Sequence, residues 1–124
     1  MATSSTSTIT PYLAAKKCLA CEAEITAIEG EHLNEMLAMV SGWTLSDDGK
    51  TISRTYKFAD WSGAAQFSDR VAQLADQEGH HPDIHLSWGR VKINLSTHRV
   101  HGLTENDFIL AAKIDRMLEG SDLE

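Results

Sequence analysis

Three of the six histidines in this chain fall in two short stretches. His80 and His81 lie in Asp76-Gln77-Glu78-Gly79-His80-His81-Pro82-Asp83, and His98 closes Ser96-Thr97-His98. Imidazole gives or takes a proton near neutral pH, so three rings drawn to one place suit acid–base catalysis or a metal. His80, His81, Asp83 and His98 have suitable donor atoms for an ion. Adjacent side chains diverge, however, so His80 and His81 are poorly placed to ligate one ion together, and the residue types favour proton transfer over metal binding. Asp76 stands four residues before His80. If a helix runs through both, the carboxylate lies one turn back on the same face and is placed to orient the His80 ring.

The elements around these residues follow from periodicity. Leu33, Met36, Leu37 and Val40 repeat at helical spacing between about Gly30 and Ser41, with Gly42 as the expected stop. Trp43-Thr44-Leu45, a turn at Asp47-Asp48-Gly49-Lys50, and the alternating Ile52, Arg54, Tyr56 and Phe58 predict a β-hairpin. Asp60 is a capping residue before a second helix opened by Trp61. Ala64, Phe67, Val71, Leu74 and Ala75 form its apolar stripe, and Gly79 and Pro82 end it. A second hairpin is predicted from the alternation of Ile84, Leu86 and Trp88, a turn at Gly89-Arg90, and Val91, Ile93 and Leu95. By parity His98 falls with Lys92, Asn94 and Ser96, away from the apolar set, or at the frayed strand end. Thr104-Glu105-Asn106-Asp107 reads as a capping box flanked by Leu103 and Phe108, and Leu110, Ile114, Met117 and Leu118 continue a third helix that Gly120 ends.

The order α-β-β-α-β-β-α predicts an α+β two-layer sandwich, a four-stranded antiparallel sheet with three helices on one face. The other face and the sheet edges are left to solvent or partner subunits, so a homo-oligomer is expected.

Composition narrows the function. The 42% hydrophobic and 23% charged fractions are those of an ordinary globular domain. A net charge of −7 and the lack of any extended Lys/Arg run argue against a nucleic-acid partner. No apolar stretch has membrane-spanning length. Residues 1–10 are nearly all Ser, Thr and Ala, without the apolar core of a secretory signal, and read as a disordered tail. Residues 11–28 form an N-terminal arm, residues 29–120 a single domain, and the cytoplasm is the expected location. Cys18 and Cys21 make a C-x-x-C in that arm. No second C-x-x-C follows to complete a zinc site, and no strand precedes it as a redox motif requires, so the pair reads as free thiols.

The histidine segments resemble the pterin-4a-carbinolamine dehydratases. That family's pattern is an acidic or polar residue, His-His-Pro, an aromatic, a further His and a spaced Asp. Here it is matched by Asp76, His80-His81-Pro82, Trp88, His98 and Asp107. Leu95-Ser96-Thr97-His98, Gly102-Leu103-Thr104, Trp43, Phe58 and Asp60 fit as well, and the resemblance runs from about Leu33 to Met117. The chain departs from it in having Asp76 where many relatives carry Glu, Ile84 for an aromatic, and Arg99-Val100 after His98. The Cys18/Cys21 pair is similar to one found in some microbial members.

The resemblance implies the αββαββα fold and a dehydratase that converts 4a-hydroxytetrahydropterin to quinonoid dihydropterin and water, without metal or cofactor. This reaction recycles the tetrahydrobiopterin used by an aromatic amino acid hydroxylase. It implies His80, oriented by Asp76, and His98 as the acid–base pair, with His81 binding the pterin and serving as alternate acid for the other C4a epimer. Gly79, His80, His81 and Pro82, with Ser96, Thr97, His98 and Arg99, would line the substrate pocket. Relatives form homodimers or homotetramers. Some also serve as a dimerisation cofactor for a transcription factor, which is the alternative function that the resemblance carries.

Overall fold

The structure is a computed structural model and describes residues 26–119. The 1–10 tail, the Cys18/Cys21 pair and the expected stop at Gly120 lie outside the described residues. In chain order the elements are α1 (Gly30–Ala38), β1 (Thr44–Leu45), β2 (Ile52–Lys57), α2 (Trp61–Glu78), β3 (Asp83–Ser87), β4 (Arg90–Leu95), a 3-10 turn (His98–Val100) and α3 (Glu105–Glu119). The sheet order is β1-β2-β4-β3, antiparallel throughout, so the two hairpins meet along β2 and β4. This is the expected α+β architecture of three helices and a four-stranded antiparallel sheet.

Alternation along the strands explains the layering. Ile52 and Tyr56 on β2 and Val91, Ile93 and Leu95 on β4 are buried on one face, which Arg54 shares, while Ser53, Thr55, Lys92 and Asn94 face the other way. Helix α2 lays Ala64, Phe67, Val71 and Ala75 on the buried side. Helix α3 is buried over most of its length, with Phe108, Leu110, Ala111 and Ile114 at zero exposure. Removing either buried Phe ring would cost about 3–5 kcal/mol. No helix among the described residues is long and apolar enough to cross a membrane.

Four local readings are corrected. Helix α1 ends at Ala38 with Met39 in right-handed conformation, and Gly42 is not its cap. A Cβ at Gly42 would run into the Arg54 guanidinium, which would have to shift. The second hairpin turns at Trp88-Gly89 rather than Gly89-Arg90. Strand β3 is the sheet edge. Of its predicted inward set only Ile84 is half-buried, while Leu86 and Trp88 are 37% and 67% exposed. His98 lies beyond the end of β4, as expected, but in a 3-10 turn, so strand parity does not set its direction.

Candidate functional site

The site is built around one helix end. The Asp60 carboxylate caps α2 by accepting from the Gly63 amide at 2.9 Å. At the other end Gly79 adopts a left-handed φ of 69°. Its amide donates to Asp76 O, and the His80 amide donates to Ala75 O at 3.2 Å. This pair of bonds reverses the chain directly after the helix. His80 is thereby turned inward and buried, while His81 stays exposed.

That reversal overturns the expected pairing of Asp76 with His80. The helical i, i+4 relation does not extend past Gly79. Asp76 Oδ1 instead lies 3.0 Å from His81 Nε2, and both side chains are largely solvent-exposed. The partner of His80 is Asp107, whose Oδ1 lies 2.6 Å from His80 Nε2.

Asp107 is fully buried in the first turn of α3. It fills the acidic position of the capping box, and its Oδ2 accepts from the Thr104 amide at 2.9 Å. The same oxygen accepts from the Thr97 hydroxyl at 2.8 Å. The Thr97 and Thr104 hydroxyls are 2.9 Å apart, which leaves Thr104 to donate to Thr97. A second tie between Thr97 and Gly102 holds the turn between β4 and α3, with Thr97 N to Gly102 O at 2.7 Å. One carboxylate therefore joins the His80 loop, the Ser96–Arg99 segment and the start of α3.

With an ionised carboxylate at Nε2, the His80 ring donates there and presents Nδ1 as its other proton-exchanging atom. His98 follows Thr97 directly and is exposed. It helps to line a recess of about 230 Å³ with Lys50, Thr51, Ser96, Thr97 and His101. Neither His80 nor His81 lines that recess. His101 closes the 3-10 turn with a left-handed φ of 55°, an uncommon conformation for a residue other than Gly. His32 and His85 are surface residues. Among the described residues no three His, Cys, Asp or Glu side chains gather as metal ligands would.

The sequence signals for Asp107 were its capping-box position and its place in the family pattern. Neither reveals its contact with His80, since a capping role uses only one of the two carboxylate oxygens.

A second polar cluster lies across the core. The Asp115 carboxylate of α3 accepts from Trp43 Nε1 at 3.0 Å, Arg54 Nη1 at 3.1 Å and the Tyr56 hydroxyl. It ties the segment before β1, strand β2 and helix α3 together. Burial pushes the Tyr56 phenol far above its ordinary value, and the neighbouring Asp115 charge adds to the shift.

Comparison with known proteins bears on the family and the fold. The profile of a family described as "Pterin 4 alpha carbinolamine dehydratase" matches residues 26–117. A Rubrobacter xylanophilus protein assigned to the pterin-4-alpha-carbinolamine dehydratases is 39% identical over 105 residues, which covers 85% of this chain and 97% of that one. The Arabidopsis thaliana protein named pterin-4-alpha-carbinolamine dehydratase 2, mitochondrial, is 43% identical over 85% of this chain and 58% of its own length. A crystal structure from Brucella melitensis, titled a transcriptional coactivator/pterin dehydratase, superposes with a TM-score of 0.70 at 33% identity, covering 74% of this chain and 98% of that one. A pterin dehydratase-like protein described as a RuBisCO assembly factor shares the fold, with a TM-score of 0.55 at 22% identity.

Proposed function

Because the chain belongs to the pterin 4 alpha carbinolamine dehydratase family, we propose that it removes water from a 4a-hydroxytetrahydropterin to give the quinonoid dihydropterin. The observation that carries this reading is the Asp107 carboxylate. It bonds His80 from one segment and Thr97, the neighbour of His98, from the other.

The reaction breaks the C4a–O bond. One proton goes to the departing hydroxyl, which leaves as water, and one proton leaves ring nitrogen N5, whose electrons form the new double bond to C4a. The net proton count is zero, so two imidazoles in opposite protonation states suffice. His80, oriented through Nε2 by Asp107, and His98 act as this pair. His81 holds the pterin with Gly79, Pro82 and the Ser96–Arg99 segment. Positioned acid–base groups contribute about 10²–10⁴-fold in rate. The pterin serves an aromatic amino acid hydroxylase as its cofactor, and the enzyme works as a homodimer or homotetramer in the cytoplasm.

The test is to follow carbinolamine decay with His80→Ala, His81→Ala and His98→Ala. The first and third should each lose about 10²-fold in kcat, and His81→Ala should act mainly on KM. If all three variants decay substrate at the wild-type rate, the assignment is wrong.

A further inference from the structure

The sheet face turned away from the helices carries a charge pattern that dehydration does not use. Residues directly opposite in an antiparallel pair point to the same side. The register places Lys57, Arg90 and Ser87 in one cross-strand row, Thr55, Lys92 and His85 in the next, and Ser53, Asn94 and Asp83 in the third. Every apolar strand residue paired across β2, β4 and β3 lies on the opposite face. In a chain of net charge −7, three of its eleven Lys and Arg residues thus share two adjacent rows with a histidine.

This arrangement works against folding. Lys57 is directly opposite Arg90, and Lys92 stands in the next row of the same face. Like charges placed across from each other destabilise a sheet. Neighbouring strands are only about 5 Å apart and successive rows about 7 Å apart. Among the described residues, the ion pairs involve Arg54, His80, His81 and Lys113, and none involves Lys57, Arg90, Lys92 or His85. The one carboxylate on this face, Asp83, stands at the far corner, opposite Asn94.

The cations border a recess of about 210 Å³, lined by Thr55, His85, Ser87, Arg90 and Lys92. Two hydroxyls are interleaved with two fixed positive charges and an imidazole, the donor set that suits phosphoryl oxygens. We propose that this open sheet face is a binding site for a small phosphorylated anion, held by Arg90 and Lys92 with Thr55, Ser87 and His85. The site extends over two rows only. Asp83 closes it along the strands, and the negative charge of the whole chain repels a long polyanion. A compact di- or trianion fits, whereas a nucleic-acid backbone or an acidic protein segment does not. The proposal is independent of the dehydratase reading, because none of these residues belongs to the His80, His81 and His98 machinery.

The probe is inorganic pyrophosphate, titrated into the full chain at fixed ionic strength. Calorimetry measures the affinity, and amide chemical shifts locate the site. Saturable binding is expected, with shifts centred on Thr55, His85, Ser87, Arg90 and Lys92. Arg90→Gln combined with Lys92→Gln should weaken it by about tenfold or more, while Lys50→Gln, on the β1–β2 turn, should leave it unchanged. The double variant should retain dehydration without added anion. Its melting temperature in the absence of anion should equal or exceed that of the wild type, because like-charge repulsion is relieved. A melting temperature that falls overturns the proposal, since the two cations would then be stabilising the fold itself. Absence of saturation, shifts confined to other surfaces, or unchanged affinity in the double variant also overturns it. So does tighter binding of an oligonucleotide or of poly-glutamate than of pyrophosphate.

Discussion

His80 Nε2 and Asp107 Oδ1 lie 2.6 Å apart, although 27 positions separate the residues in sequence and the carboxylate has no exposure to solvent. A buried carboxylate must have its lone pairs occupied. Here His80 takes one oxygen, and Thr97 and the Thr104 amide take the other. Asp107→Asn keeps the shape but replaces one acceptor oxygen by an N–H donor. Turned one way, that N–H faces the Thr97 and Thr104 donors; turned the other, it meets His80 Nε2, which can accept it only as the Nδ1–H tautomer. The substitution should cost about 1–3 kcal/mol of stability. It should also release the His80 ring or lock it in that inverted tautomer, and so lower kcat for carbinolamine dehydration by about 10²-fold, with a smaller change in KM. Denaturant unfolding and steady-state kinetics on the same variant check both parts. A normal kcat would detach Asp107 from the site.

Gly79 couples backbone conformation to the position of His80. At φ 69° a Cβ meets no neighbour within 4 Å, so the strain of a substitution is conformational rather than steric crowding by the fold. Gly79→Ala should cost roughly 1–2 kcal/mol. If the chain escapes that strain by rotating out of the left-handed region, the His80 amide loses Ala75 O and the ring leaves Asp107. Activity should then fall further than the stability loss alone accounts for. Equal activity per folded molecule would show that the helix stop does not position the ring.

Asp76 and His81 provide the contrasting case. Their side chains are 83% and 62% exposed at a contact of 3.0 Å. An ion pair open to solvent contributes little, so Asp76→Ala should change stability by less than about 0.5 kcal/mol. Its effect on the reaction should also be small beside that of Asp107→Asn. A larger kinetic loss at Asp76 than at Asp107 would restore the pairing that the sequence suggested and the fold replaced.

Local signals in the sequence were read correctly where local physics decides. Asp60 and Gly79 bound α2, the alternation of Ile52 and Tyr56 with Val91, Ile93 and Leu95 defines the buried sheet face, and the Thr104–Asp107 box starts α3. What sequence could not supply was the strand order and the long-range partners. Periodicity says that Ile84, Leu86 and Trp88 share a side, but not that β3 lies at the edge with Trp88 two-thirds exposed. Likewise the Asp76–His80 spacing means something only while the helix continues. Once Gly79 reverses the chain, the nearest carboxylate to His80 comes from another element altogether.

Tyr56 offers a test of the second polar cluster that is independent of catalysis. Its ring is 3% exposed and packs on Phe67 with centroids 4.8 Å apart, while its hydroxyl donates to Asp115. Burial and the Asp115 charge raise its folded-state pKa above the ordinary phenol value of 10.0. An acid whose folded value is raised holds its full stabilising contribution below the unfolded value. That contribution is lost as pH climbs above it, because only the unfolded chain can then release the proton. Wild type and Tyr56→Phe should therefore differ by a constant amount from neutral pH to about pH 9. That difference is about 1 kcal/mol in favour of the hydroxyl. Above pH 10 it should shrink by up to about 1.4 kcal/mol per pH unit and then change sign. Paired urea titrations from pH 7 to pH 11 measure it, and comparing the two proteins cancels the lysines that both share. A difference that stays level through pH 11 would mean that the phenol ionises as readily in the folded chain as in the unfolded one, and that the hydroxyl is not held against Asp115.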